Sequence, residues 1–433
     1  MKRMSKLLGL AVILSSGLLS CSSSEEIENG ETKYVNMLSD PEPIVLTEEQ
    51  QVFANDNNGF TLNFLKTVND ADKSGKSYIY SPLSITYVLG MVNDAAVGQT
   101  EQELEQTLGF HQGGIKAVND YCKKLIDGLP KVDNKVTLNI ANALFVNKNR
   151  ATLKAQYQQD MKQYYDAQAE NLDFNSPSTL STINGWCNDH TNGMIPNILD
   201  EIDPATVTYL LNAIYFKADW ASKFDQKNTK EDTFHPEYEY LMDITTPTKL
   251  PLMHQKVLIK YLKNDIYTAV EMPYGNGYWD MTIMLPEEGK TTDDIINYLA
   301  KKGLSEYSYP HEVDLKLPRF ETASDTNTLD IGLIGLLQKM GIKLVFDSYF
   351  AEIPNMCENG NVYISMMRQK AKIKVNEEGS EAAAVTIAGV KFTTSIQPEE
   401  YPKATFHANR PFVYVIREAS SGVILFVGKF TGA

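Results

Sequence analysis

The run Lys374-Val375-Asn376-Glu377-Glu378-Gly379-Ser380-Glu381-Ala382-Ala383-Ala384-Val385-Thr386, with the polar stretch that follows it to about Phe406, constrains this chain more than any other segment. An alternating apolar pattern, Val362, Ile364 and Met366, then Ala371, Ile373 and Val375, runs into two glutamates and a glycine, where a strand should end. Beyond the glycine the alternation resumes with small residues. Positions 380, 382, 384, 386, 388 and 390 are Ser, Ala, Ala, Thr, Ala and Val, while Glu381 and Lys391 fall on the opposite phase. Side chains alternate across a strand, so one face of this segment is small enough to enter a sheet without a clash. The segment is therefore written to be either a loop or a strand.

Other motifs stand in order around it. Tyr80-Ser81-Pro82-Leu83-Ser84-Ile85 places a hydroxyl and a proline at a helix start. Leu211-Asn212-Ala213-Ile214-Tyr215-Phe216-Lys217, followed by Trp220, suits a strand covered on both faces. Phe406-His407-Ala408-Asn409-Arg410-Pro411-Phe412 follows the loop. With Glu377 to Ala384, these motifs resemble the serpin family: the hinge of its reactive-centre loop, the start of its second helix, its central strand with the tryptophan beneath the insertion point, and the strand beyond the loop. The resemblance covers about residues 50 to 431.

It implies a serpin fold of the α+β class, with three β-sheets, about eight or nine helices and an exposed reactive-centre loop at about 377–405. It also implies a suicide-substrate inhibitor of serine endopeptidases, with cysteine endopeptidases as a second class, and no cofactor. A protease attacks one loop bond and forms an acyl-enzyme. If the new chain end then inserts as an extra strand, the attached protease is dragged away and its oxyanion hole is distorted. Loss of one oxyanion donor alone costs ~10²–10³ in rate. About a dozen ladder hydrogen bonds at ~0.5–1.5 kcal/mol each, with burial of small apolar groups, make insertion worth roughly 10–20 kcal/mol, comparable with a whole domain's stability. The uncleaved form is therefore kinetically trapped.

Counting from Glu377 at the family's spacing puts the reactive bond at Thr393-Thr394, with Lys391 and Phe392 as alternatives one or two bonds earlier. Counting back from Phe406 lands near Glu400, because the loop is longer than usual on its carboxyl side. Thr393 suits elastase-like or subtilisin-like pockets, Lys391 trypsin-like and Phe392 chymotrypsin-like ones. The resemblance assigns Glu377, Glu378, Gly379, Ser380, Glu381, Ala382, Ala383 and Ala384 to the hinge. Ser81, Ser84, Asn212 and Trp220 match the family's shutter and breach. Where the family often has histidine in that shutter cluster, this chain has Gln369, which donates and accepts but does not titrate.

At the amino terminus, Lys2, Arg3 and Lys6 precede an apolar run from Leu7 to Leu14, a secretory signal over residues 1–20 too short to span a membrane. Leu18-Leu19-Ser20-Cys21 resembles the lipobox of bacterial lipoproteins, in which the cysteine is acylated, giving a chain anchored to the membrane through Cys21 and facing the periplasm or the cell surface. Residues 21–47 are polar and acidic and read as a tether. Cys122, Cys187 and Cys357 remain, without disulfide or metal spacing, and read as small buried apolar residues.

Residues 48–433 show no composition break or repeat and read as one monomeric domain. Helices are expected at about 48–69, weakened by Asn55 to Gly59, from Pro82, from a capping box at Thr100-Glu101-Gln102-Glu103, and at 115–126, 154–164, 177–190, 292–299 and 328–340. Strands are expected at 136–146, 207–217, several between 250 and 286, 313–317, 412–417 and 423–430. A net charge of −15 excludes nucleic acid as the main partner. With six histidines, none at ligand spacing, and no Gly-x-Ser-x-Gly elbow or phosphate loop, the chain shows no catalytic set of its own.

Overall fold

The structure, a computed structural model, describes residues 33–34, 42–235, 247–304, 308–358, 362–380 and 400–432. The body begins with a capping box in which Thr47 accepts the Gln50 N–H and the Gln50 side chain returns the bond, starting α1 (Glu48–Ala71). This helix, expected over 48–69, runs unbroken through the weaker stretch Asn55 to Gly59. The Asn57 amide is buried and donates to Thr86 Oγ1 and the Leu108 carbonyl, both at 2.9 Å, so the residues that lower helix propensity tie the helix to its neighbours.

Pro82 occupies the first turn of α2 (Pro82–Ala95), with Ser81 as its N-cap. The capping box expected at Thr100 does not form. Helix α3 (Gly98–Leu108) starts earlier, without a side-chain cap. Thr100 Oγ1 instead accepts the Glu352 N–H at 3.0 Å, and Glu103 accepts the N–H groups of Lys343 and Leu344. Tertiary donors outcompete the local ones. The remaining helices are α4 (Gly114–Gly128), α5 (Ala155–Tyr165), α6 (Ser178–His190), α7 (Thr292–Lys302) and α8 (Gly332–Met340), eight in all among the described residues.

The first eight strands are β1 (Lys33–Tyr34), β2 (Tyr78–Tyr80), β3 (Thr137–Asn147), β4 (Gln168–Leu172), β5 (Thr208–Asp219), β6 (Lys230–Phe234), β7 (Thr248–Lys263) and β8 (Tyr267–Tyr274). They are followed by β9 (Trp279–Pro286), β10 (Tyr309–Pro318), β11 (Phe320–Asp325), β12 (Met366–Val375), β13 (Gly379–Ser380), β14 (Lys403–His407), β15 (Phe412–Glu418) and β16 (Ile424–Phe430). One sheet has the order β11-β12-β13-β5-β3-β4. The other has the order β14-β10-β7-β8-β9-β15-β16-β2, with β1 and β6 also on β7. Within it, residues 252–261 of β7 pair with β10, and only 260–263 pair with β8. The three-sheet arrangement is thus one independent sheet and two sub-sheets that share a long strand.

The sheets pack on each other and on α1, α2 and α7 around Phe216, whose ring lies 5.5 Å from both Tyr274 and Trp279 and 6.1 Å from Phe426. Burial lifts the Cys122 and Cys187 thiols to about 12 and that of Cys357 to about 11, so all three are free, buried and unreactive.

Candidate functional site

Strands β12 and β5 run parallel and are hydrogen-bonded at one end, where residues 366–369 pair with 209–212. At the other end β13 is wedged between them and is antiparallel to both. Ser380 pairs with Val375 on one side and Ala218 on the other, and Gly379 pairs with Asp219. Between these two zones no ladder joins β12 to β5 among the described residues. Gly379 and Ser380, the latter the first residue of the small-residue series, therefore already stand in the sheet, above an unpaired stretch and a four-row seam.

The chain turns back from β12 through Asn376, whose side-chain oxygen accepts the N–H groups of Glu378 (3.0 Å) and Gly379 (3.3 Å), an Asx turn that reverses direction within a few residues. Gly379 is obligatory there. A Cβ at this position would lie 2.0 Å from the Ala218 carbonyl oxygen and 2.6 Å from Asp219 Cα, both backbone atoms of β5. Ser380 is fully buried and its hydroxyl pairs with the Tyr274 hydroxyl at 2.7 Å.

Two acidic residues pin the turn. Glu377 is 3 % exposed and its carboxylate accepts from Arg319 Nε at 2.7 and 2.8 Å and from the Thr229 hydroxyl at 2.5 Å. Burial works to raise its pKa, but Arg319 and Thr229 outweigh burial and hold the carboxyl below the ordinary glutamate range. Glu378 pairs with Lys223 at 2.7 Å, and Lys223 also pairs with Asp219 at 2.8 Å. Trp220 lies beneath. Its indole donates to the Asn376 carbonyl at 2.9 Å, its backbone N–H donates to the Glu378 carbonyl at 2.7 Å, and its ring stacks on Tyr274 at 4.3 Å.

At the seam, Gln369 makes a two-point bond to the Ser81 backbone, accepting its N–H at 3.0 Å and donating to its carbonyl at 2.8 Å. Ser81 and Ser84 hydroxyls lie 2.9 Å apart, and Ser81 also donates to the Leu425 carbonyl at 2.7 Å. Ser81, Ser84 and Gln369 are thus brought together where β2, β12, β16 and α2 meet. The Asn212 side chain does not join them. Its amide donates to Asn142 Oδ1 at 2.8 Å, Asn142 being its register partner on β3. Asn212 meets Gln369 through the backbone ladder alone.

Glu381, Ala382, Ala383, Ala384, Lys391, Phe392, Thr393, Thr394 and Cys21 lie outside the described residues. Tyr274, Arg319, Lys223 and Thr229 were not expected from sequence, since each reaches the hinge from a distant segment and belongs to no local pattern. Asn376 carried a readable signal, an Asx residue just before Glu-Glu-Gly.

The profile of the family described as Serpin (serine protease inhibitor) matches residues 55–432. The leukocyte elastase inhibitor of Sus scrofa is 31 % identical over 390 residues, covering 87 % of this chain and 98 % of the relative. The crystal structure of the thermophilic serpin tengpin in the native state superposes with a TM-score of 0.76 at 26 % identity, over 93 % of this chain and 97 % of that one. Thyroxine-binding globulin complexed with thyroxine superposes with a TM-score of 0.74 at 27 % identity, over 89 % of this chain and 99 % of that one.

Proposed function

The chain belongs to the serpin family, and on that premise we propose that it inhibits serine endopeptidases as a suicide substrate, with cysteine endopeptidases as a second class. Cleavage at Thr393-Thr394, or at Lys391 or Phe392, frees the segment from Glu381 onward to follow Ser380 into the sheet. The observation that carries this reading is the seating of Gly379 and Ser380 between β12 and β5. The next residues to enter meet the unpaired stretch of the two strands first, so insertion begins without breaking a strand-strand hydrogen bond. Only when it reaches residues 366–369 must the seam and its Gln369–Ser81 bonds give way. That order places the barrier late and leaves the uncleaved state trapped. The Cys21 lipid anchor, with the domain displayed outside the cytoplasm as a monomer, completes the proposal.

Nicking the loop with a protease and measuring thermal unfolding tests it. Insertion adds ladder bonds, so the nicked protein should melt well above the intact one. An unchanged melting temperature would leave a serpin-fold binding protein that proteases merely clip.

A further inference from the structure

One edge of β7 is only partly filled. Strand β6 pairs with residues 248–252 and β8 with 260–263, while β10 occupies the opposite edge throughout 252–261. Among the described residues, that leaves the backbone at 253–259 as an open sheet edge between two neighbours, the arrangement that invites an added strand. The segment expected to be a tether supplies one: Lys33 pairs with Val257 and Tyr34 with Leu258, in parallel register. These two residues belong to Thr32-Lys33-Tyr34-Val35, a run with β-prone Thr, Tyr and Val. The chain is then pinned again at Ile44, which is buried against Gly128 and whose N–H donates to Ser420 Oγ at 2.8 Å.

We infer that Lys33–Tyr34 is an intramolecular clasp, seated on the open edge of β7, that fixes where the tether leaves the domain. The register gives this position a meaning. Tyr34 is paired with Leu258, Leu258 with Glu312, and Glu312 with Lys403, the first residue of the strand that receives the loop's carboxyl end. Tether exit and loop base therefore lie on one row across the sheet, three strand spacings or about 14 Å apart. With the clasp closed, the free run from Cys21 shortens to residues 22–32, a reach of at most about 40 Å at ~3.6 Å per residue. The consequence for an anchored chain rests on the proposed lipidation, but the clasp itself does not.

The test uses the chain from Ser22 onward, in which Lys33→Pro removes a backbone donor that faces β7 and with it the pairing. Hydrogen exchange at the Leu258 amide, which faces this edge while those of 257 and 259 face β10, should be at least about tenfold faster in the variant, with exchange elsewhere unchanged. In a second measurement, Tyr34→Cys with Leu258→Cys should be linked by a short bis-maleimide. Tyr34→Cys with Lys230→Cys, whose partner on the same edge is Leu252, should not. Equal exchange in both chains, or equal linking in both pairs, would overturn the clasp. Neither readout involves protease inhibition, so the clasp and the inhibitory reading fail separately.

Discussion

Replacing Gly379 with alanine tests how the hinge is held. The added Cβ would sit 2.0 Å from the Ala218 carbonyl oxygen, 2.6 Å from Asp219 Cα and 2.9 Å from Ala218 C. All three are backbone atoms of β5, just beyond the last rung of its ladder with β3 at Lys217, so no side chain can swing aside. Two responses are open. The strands can part slightly, at an overpacking cost of about 1–3 kcal/mol. Alternatively β13 can leave the sheet, giving up the Asn376–Gly379 bonds, the buried Ser380–Tyr274 bond and its pairing with β5, each bond worth ~0.5–1.5 kcal/mol. The cheaper route sets the cost, about 1–3 kcal/mol, a factor of roughly 5 to 150 in the seated population. Exchange of the Ser380 amide and the emission of Trp220, whose indole is bound to Asn376, report the change directly. Wild-type protection of Ser380 together with an unaltered urea midpoint would refute the argument.

Gly59, inside α1, has open space where its Cβ would point, so Gly59→Ala should stabilise the fold by about 0.5–1 kcal/mol in urea unfolding, opposite in sign to Gly379→Ala. The Glu377 carboxyl is held below the ordinary glutamate range, so its contribution is complete above about pH 4–5 and is lost as pH falls through its lowered pKa. Hinge-amide protection should drop in that acid window for the wild type and stay flat for Glu377→Gln; parallel profiles would dissociate the carboxylate from the hinge. Ser380→Arg puts a charge into a fully buried position beside Tyr274 and should turn an inhibitor into a substrate, read as a rising stoichiometry of inhibition. Thr393→Arg should shift preference toward trypsin-like proteases in second-order inhibition rates, and an unmoved ranking would relocate the reactive bond.

The turn at Glu377-Glu378-Gly379 was legible because it interrupts an alternating apolar pattern within one local stretch, while the small-residue series beyond Ser380 lies outside the described residues. Trp220 and the Ser81–Ser84–Gln369 group were legible as motifs of a family. The network that pins the hinge was not, because Arg319, Lys223, Thr229 and Tyr274 converge on it from separate segments through tertiary contacts alone. Local signals also misled where a tertiary partner was stronger. Thr100 and Glu103 read as a capping box yet bind backbone N–H groups near 343–352, and Asn57 read as a weak point in α1 yet is one of its ties. Asn212 shows the same competition within the site, its side chain taken by Asn142 across the β3–β5 ladder.

The central claim, covalent trapping by loop insertion, is tested most directly by mixing the protein with elastase-, subtilisin-, trypsin- and chymotrypsin-like proteases and resolving the products on denaturing gels. The account predicts an SDS-stable band at the summed mass of the protease and the amino-terminal fragment. It also predicts a released peptide beginning at Thr394. Complete cleavage of the loop with free, active protease and no such band would contradict it.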